Sequence, residues 1–405
     1  MSYDIDAVRA DFPALVNGSA HFDGPGGTQT PQQVIDAISA TLSSPLSNRG
    51  TVTAGEANAE RTVADARAAI ADLVGGEAGG VVFGRSATQL CYDFSRWISR
   101  SWTAGDEVVV TRLDHDSNVR PWVQAAERAG ATVRWLDFDP ATSELNDIGT
   151  VLSDRTKLVA VTAASNLIGT KPPVASIAAQ AHAAGAVVYV DGVHFTAHAA
   201  ADMNALGADF YSCSPYKFLG PHLGALTASP AMLESLQPDK LLPSTNEVPE
   251  RFEFGTLPYE LLAGVAAAVD YLSTIGGERG GAKPAGAPRR GQLVDAFSRL
   301  EEHEDALLAR LEQGLATLRG VTVHSRAAHR TPTLLLTIAG RDMADATRFL
   351  AARDVDAPSS NFYALEASRR LGLGDDGGLR VGLAPYTNSD DVDRLLTGLA
   401  DFLSA

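Results

Sequence analysis

Short apolar, β-branched runs recur through the first two-thirds of the chain, at Val81–Phe83, Glu107–Thr111, Val133–Leu136, Leu158–Ala163, Ala186–Val190, Asp209–Cys213 and Ala225–Ala228. Most are continuously apolar rather than alternating, which is the pattern of strands covered on both faces. Between several of them lie Ala-rich stretches at helical spacing, such as Val123–Ala129 and Ser176–Ala184. Strands alternating with helices predict a mostly parallel sheet between two helical layers, a three-layer α/β/α domain.

Beyond residue 255 the texture changes. Leu261–Ile275 predicts one long helix, and Gly276–Gly291 is dense in Gly, Pro, Ala and Arg with no apolar period, as in a flexible connector. Asp295–Leu318 predicts a helix whose inner stripe includes Phe297, Leu300, Leu307 and Leu311, stopped by Gly320. Thr333–Ile338 predicts a strand and Ser389–Phe402 a closing helix. The expected organisation is a large domain over 15–275, a connector over 276–291 and a smaller C-terminal α/β domain over 292–405, with residues 1–14 packing against the smaller domain.

The chain has 405 residues with 33 Lys plus Arg against 49 Asp plus Glu, a net charge of −16. That balance argues against nucleic acid or an anionic membrane as the partner, while leaving room for a small anion in a local positive pocket. The two cysteines, Cys91 and Cys213, exclude a disulfide framework and a Cys-based zinc site. No metal is expected, because no His/carboxylate pair has helical ligand spacing. No apolar run reaches the roughly 18 residues of a membrane span, and Met1–Arg9 is polar and acidic, unlike a secretory leader. The expectation is a reduced, cytoplasmic protein.

Open parallel sheets gather ligands at the carboxyl ends of their strands. After Val81–Phe83 comes Gly84-Arg85-Ser86-Ala87-Thr88, entering a helix whose first N–H groups can receive an anion. After Glu107–Thr111 comes His115, after Leu158–Ala163 comes Asn166, after Ala186–Val190 come Asp191 and His194, and after Asp209–Cys213 come Ser214, Tyr216 and Lys217. Singly these have ordinary explanations as caps or solvated side chains. Converging on one sheet edge, they have the makings of a site. A lysine can form a Schiff base, an aspartate can keep a pyridinium protonated, an imidazole can stack on the ring, an amide can bond its phenolic oxygen, and a small-residue turn can hold a phosphate. The set fits pyridoxal 5′-phosphate (PLP) better than a nicotinamide dinucleotide, since no Gly-x-Gly-x-x-Gly turn follows an early strand.

Specific motifs extend this picture: His21 through Thr28, Leu113-Asp114-His115 with Asn118 and Pro121-Trp122, Ser165 through Gly169, Asp191-Gly192-Val193-His194, Tyr216 through Pro221, Phe254-Gly255-Thr256, and Arg380-Val381-Gly382 with Tyr386-Thr387-Asn388. On these the chain resembles a class V aminotransferase of the cysteine desulfurase-like group, of PLP fold type I, over nearly its whole length. The resemblance implies that Lys217 forms the Schiff base and later shuttles the Cα proton, that Asp191 pairs with the pyridine nitrogen, and that His115 stacks over the ring. It places Asn166 and His194 near the phenolic oxygen or the substrate. Ala87, Thr88 and Ser214 would hold the phosphate, with Thr256 supplied across a homodimer interface. Arg380 would bind the α-carboxylate of an amino acid, Arg49 would lie near the site mouth, and Tyr216, Asn361 and Tyr363 would line the substrate pocket.

Two departures bear on the reaction. Desulfurases carry a nucleophilic cysteine shortly before the carboxylate-binding arginine, whereas Ala357–Leu373 contains none. His194 stands where desulfurases usually show Gln and where kynureninases and epimerases show His. A β-elimination of the C–S lyase kind, needing no cysteine, is therefore the leading expectation. Aminotransfer or epimerisation of a small amino acid is the alternative, and a non-catalytic binding protein on the same fold is a third.

Overall fold

The computed structural model describes residues 3–277 and 288–405. Seven strands build the main sheet: β1 (Val81–Gly84), β2 (Glu107–Thr111), β3 (Thr132–Leu136), β4 (Thr156–Thr162), β5 (Val187–Asp191), β6 (Phe210–Cys213) and β7 (Gly224–Ala228). Their spatial order is β1-β7-β6-β5-β4-β2-β3. Neighbours from β3 to β6 run parallel, and β7 is antiparallel to both β6 and β1. The reversal follows from chain length, since residues 214–223 are too few for the crossover of about a dozen residues that a parallel return requires.

Successive residues of the central strands serve two cores. Val109, Val159, Val161, Val188 and Val190 pack on one face with Val63, Ile70 and Val265 of the helices Ala54–Val74 and Tyr259–Leu272. Val108, Val110, Leu158, Ala160 and Tyr189 pack on the other with Phe94, Trp97 and Trp122 of the helices Ala87–Ile98 and Arg120–Ala129. Burial on both faces is why these runs lack polar alternation.

The second sheet is antiparallel, with strands Val321–Val323, Thr333–Ile338, Gly378–Gly382 and Ser359–Ser360 side by side. Leu311, Leu350 and Leu395, from the helices Arg289–Leu315, Met343–Ala351 and Ser389–Ser404, cover it. The architecture is the α/β one expected, a three-layer unit with a mostly parallel sheet beside a smaller α/β unit.

The first of these helices begins earlier than expected, so Arg289–Gly291, assigned to the connector, is helical. Its apolar stripe starts only near Leu293, and tertiary ion pairs hold the first turn: Arg289 reaches Asp72 at 2.8 Å and Asp270 at 3.1 Å. Residues 278–287 of the expected connector lie outside the described residues. The N-terminal segment touches both units. Arg9 donates to Asp391 at 2.6 Å, while Phe12 packs on both Tyr271 and Tyr386. Among the described residues, no helix is long and apolar enough to cross a membrane.

Candidate active site

Parallel pairing brings the carboxyl ends of β2, β4, β5 and β6 to one edge of the sheet. Asp191 is the last residue of β5, and Lys217 closes a single 3-10 turn, Pro215–Lys217, just beyond β6. That turn is locked to the N-terminal loop, because Thr28 donates its hydroxyl to Tyr216 O at 3.1 Å and accepts from Leu219 N at 2.9 Å. Lys217 and Asp191 line an inner cavity with Asn166, His194, His115 and Ser214. The helix N-terminus at Ser86, Ala87 and Thr88 borders the same space. Ser86 caps it by accepting from Gln89 N at 3.1 Å. A side chain at Gly224 would collide with the Ser86 backbone, so glycine is what lets this turn approach β7.

Burial sets the charges. The Lys217 amine is pushed down to about 8, first by desolvation and then by the Arg380 cation, with Asp191 and Asp23 opposing. A larger neutral fraction makes it a better nucleophile and base. Burial raises the Asp191 carboxyl, which accepts from Val193 N at 2.9 Å. His115 is held down at about 3 by burial and then by the Lys217 and Arg380 cations. Its Nδ1 faces Ser117 Oγ at 2.8 Å.

Arg380 is buried in the outer part of the cavity, where Nη2 donates to Asp23 Oδ1 at 2.6 Å and Nη1 to Asn166 O at 3.1 Å. The guanidinium carbon lies 3.7 Å from the Phe362 ring centroid, and Nε is buried without a partner. Phe362 and Tyr363 both adopt positive φ, 50° and 58°, a strained choice for bulky residues. The turn is held by Asn166 Nδ2 donating to Phe362 O at 3.0 Å and Asp116 N donating to Tyr363 O at 2.7 Å.

Three expected residues lie elsewhere. Asn361 points away from the cavity, donating to Asp375 O at 2.7 Å, and its neighbours Phe362 and Tyr363 line the space instead. Arg49 is spent on Glu60 at 2.8 Å and Glu250 at 3.0 Å, outside the cavity of its own chain. Thr256 borders a separate cavity with Phe83, Arg85 and His222. Tyr216 lines the site and stacks on His222, with ring centroids 4.8 Å apart. Sequence reading passed over Asp23 and Phe362 as site residues. Asp23 sat inside a quoted motif, but only the fold sets it against an arginine 357 residues away.

Asp114, beneath His115, accepts from Asn118 Nδ2 at 2.7 Å and bonds Thr111. Burial pushes its carboxyl up to about 8. A raised acid keeps its proton in the folded state after the unfolded state has lost it, so its contribution to stability falls as pH rises from about 4 to about 8. His115 works in the opposite direction below the ordinary histidine range. The comparison is therefore between cofactor-free wild type and Asp114→Asn: the variant should gain stability relative to wild type between about pH 5 and about pH 8, by a few kcal/mol. Urea unfolding at the two pH values reads this, and a pH-independent difference contradicts it.

The fold and the lysine-centred cavity define a class, the fold type I PLP enzymes. The family model for class-V aminotransferases matches residues 20–283, and the chain belongs to that family. It is 31% identical to a cysteine desulfurase of Enterobacter sp. (strain 638) over 430 residues, covering 98% of both chains. It is 30% identical to an uncharacterized protein of Mycobacterium tuberculosis (strain CDC 1551 / Oshkosh) over 409 residues, covering 99% of both. Among solved structures it resembles the cysteine desulfurase CsdA of Escherichia coli, with a TM-score of 0.86 and 25% identity over 100% of this chain and 99% of that one. A C-DES lysine-to-alanine mutant with glycine covalently linked to its PLP cofactor shares the fold, with a TM-score of 0.79 and 20% identity, over 97% of this chain and 99% of that one.

The chain is thus a PLP-dependent enzyme of cysteine desulfurase-like type, and its donor set fits the cofactor. Asn166 Oδ1 and His194 Nδ1 are buried without partners at the inner cavity, as atoms awaiting a polar ligand are.

Proposed function

We propose that this enzyme eliminates a leaving group from Cβ of a small amino acid, a C–S lyase-like reaction without a catalytic cysteine. When bound, PLP supplies a conjugated ring that accepts an electron pair from the substrate Cα. Lys217 would hold the cofactor aldehyde, Asp191 its ring nitrogen, and the Ser86–Thr88 turn with Ser214 its phosphate. His115 would cover the ring. Arg380 would take the substrate carboxylate, fixing Cα within reach of the Lys217 amine, which receives the Cα proton. With L-cysteine the overall balance is pyruvate, ammonia and sulfide, after water hydrolyses the eliminated product.

The observation that carries this reading is the set of groups around Lys217. Among the described residues, the cavity lining holds a low-pKa amine, the carboxylates of Asp23, Asp116 and Asp191, and the arginines Arg120 and Arg380, but no thiol. Both cysteines are buried in the core, Cys213 with its thiol pushed up to about 12, which leaves it protonated and unreactive. Replacing both (Cys91→Ser with Cys213→Ser) should leave kcat within about twofold and lower stability by about 1–3 kcal/mol through lost packing. A loss of turnover in a folded variant would argue for a thiol-dependent reaction.

The primary test is a visible spectrum of the PLP-loaded protein before and after L-cysteine. A shifted band with pyruvate and sulfide appearing supports elimination. A shifted band without those products redirects the assignment to aminotransfer or epimerisation, and a protein that takes up PLP without any response to amino acids argues for the binding role.

A homodimer is part of the same proposal. Phe254, 52% exposed, and Thr256 sit on a segment pinned from behind by Glu253, whose carboxylate pairs with buried Arg67 at 2.8 Å. In this reading Thr256 projects towards the phosphate site of a partner subunit. Sedimentation at micromolar concentration should give a dimer.

A further inference from the structure

Two guanidinium groups line the outer part of the cavity, Arg380 and Arg120. Arg120 opens the helix Arg120–Ala129, just after the loop that carries His115. The Phe362–Tyr363 turn connects the two, with the Phe362 ring 3.7 Å from the Arg380 guanidinium and the Tyr363 carbonyl accepting from Asp116 N at 2.7 Å. The Asp116 carboxylate in turn accepts from Arg120 Nη2 at 2.9 Å and Nε at 3.4 Å. The two arginines are thus built alike. An aspartate grips part of each fork, Asp23 for Arg380 and Asp116 for Arg120. Each also keeps a nitrogen in hand, Nε in Arg380 and, among the described residues, Nη1 with its two N–H groups in Arg120.

The neighbouring acids do not use up that remainder. Glu366 stands 3.7 Å from Arg120 Nη2 but is bonded by Arg112 at 2.5 Å, and Arg112 and Arg370 share Asp137 at 3.2 and 3.1 Å. The hydrogen bond to Asp116 holds the Arg120 guanidinium above its ordinary value against the pull of burial, with Glu366 and Tyr92 adding to it. Tyr92, from the helix Ala87–Ile98, brings a phenol to the same wall, and its hydroxyl has no hydrogen-bond partner among the described residues. The outer cavity holds about 480 Å³, inside the range of roughly 300–1,000 Å³ that takes drug-sized ligands. That is more room than a three-carbon amino acid anchored at Arg380 takes up.

We propose that Arg120, with the Tyr92 hydroxyl beside it, is a second anion subsite, which takes a carboxylate at the far end of the substrate side chain. The substrate class is then a cysteine S-conjugate whose leaving thiol carries a carboxylate, held by one arginine at each end. A guanidinium offers a carboxylate charge-assisted hydrogen bonds in matching geometry. With S-carboxymethyl-L-cysteine, the Cα proton goes to Lys217, the Cβ–S bond breaks with its electron pair leaving on sulfur, and the thiolate takes up a proton. One water then completes the balance to pyruvate, ammonia and mercaptoacetate, with nothing oxidised or reduced. This assignment deepens the elimination reading and depends on Arg380 taking the α-carboxylate.

Two pairs of compounds test it on the PLP-loaded protein. S-carboxymethyl-L-cysteine and S-carbamoylmethyl-L-cysteine differ only in the charge of the terminal group, and kcat/KM read from pyruvate should favour the carboxylate by about tenfold or more. L-2-Aminoadipate and L-norleucine have no leaving group on Cβ, and calorimetry should show the dicarboxylate binding more tightly by a similar factor. Both preferences should collapse towards unity in Arg120→Gln and largely return in Arg120→Lys. The amide turned over as well as the carboxylate, norleucine bound as tightly as aminoadipate, or preferences that persist in a folded Arg120→Gln protein would each overturn the subsite. The wild-type comparisons stand whether or not the variant folds. Failure of the elimination reading is separate, because neither conjugate would then release pyruvate while the calorimetric pair still reads Arg120.

Discussion

Lys217→Ala should fold, bind PLP without a covalent link, and lose turnover by at least about 10³-fold. Within the cavity no other side chain can take its place. The neighbouring cation, Arg380, cannot give up its proton to act as a base, and His115 and His194, which border the inner cavity, have no primary amine to offer an aldehyde. No other lysine lines either part of the site. The fold should survive, because a buried ammonium is a burden on stability and its removal leaves Asp191 still bonded to Val193 N. Borohydride reduction followed by mass spectrometry separates the outcomes, since wild type retains the cofactor covalently and the variant releases it on denaturation. Full turnover by the variant would remove Lys217 from the mechanism. The cofactor-free proteins carry a second signature. A lysine held at about 8 against an ordinary 10.5 binds fewer protons folded than unfolded between those values, so wild-type stability gains a rising component across that window that Lys217→Ala lacks.

Arg380→Gln is the second large expected effect. Half-saturation by L-cysteine, read from the cofactor band, should rise about 10²-fold or more, in line with the ~2–5 kcal/mol lost when one partner of a buried, hydrogen-bonded charge pair is truncated. The arginine is well prepared for a carboxylate. Phe362 flattens it from one side, Asp23 and Asn166 O fix two of its nitrogens, and Nε is left over. Asp23 already occupies part of the guanidinium fork, so the substrate carboxylate must share it or displace Asp23. Asp23→Asn should therefore change half-saturation in the direction opposite to Arg380→Gln. Gly26 is tied to the same arrangement, since a Cβ there would collide with the Asp23 carboxylate. An Arg380→Gln protein with unchanged half-saturation would place the carboxylate elsewhere.

Much of this site was legible because each parallel strand ends at the same edge of its sheet. A polar residue directly after β2, β4, β5 or β6 has few other places to go, which is why His115, Asn166, Asp191 and Lys217 were found from order along the chain. Asn361 was misplaced for a local reason. The chain turns through two left-handed residues at Phe362 and Tyr363, and that turn swings the ring of Phe362 inward while its polar neighbour bonds Asp375 O. Neither residue type advertises positive φ. Arg49 lies outside the cavity of its own chain, held by the carboxylates of Glu60 and Glu250, a pairing that sequence order does not point to.

The apolar runs and their spacing by themselves determined a parallel α/β sheet, its two-sided burial and the residues at its carboxyl edge, because strand period and crossover chirality leave few alternatives. The motifs added the family and, with it, the cofactor. Tertiary structure alone decided which polar groups meet: Asp23 with Arg380, Glu304 with His198, and His194 with the threonines of the other sheet. Those pairs join residues more than a hundred positions apart. No local periodicity encodes them, and burial is what gives them their force, by removing the water that would otherwise screen or compete for each contact.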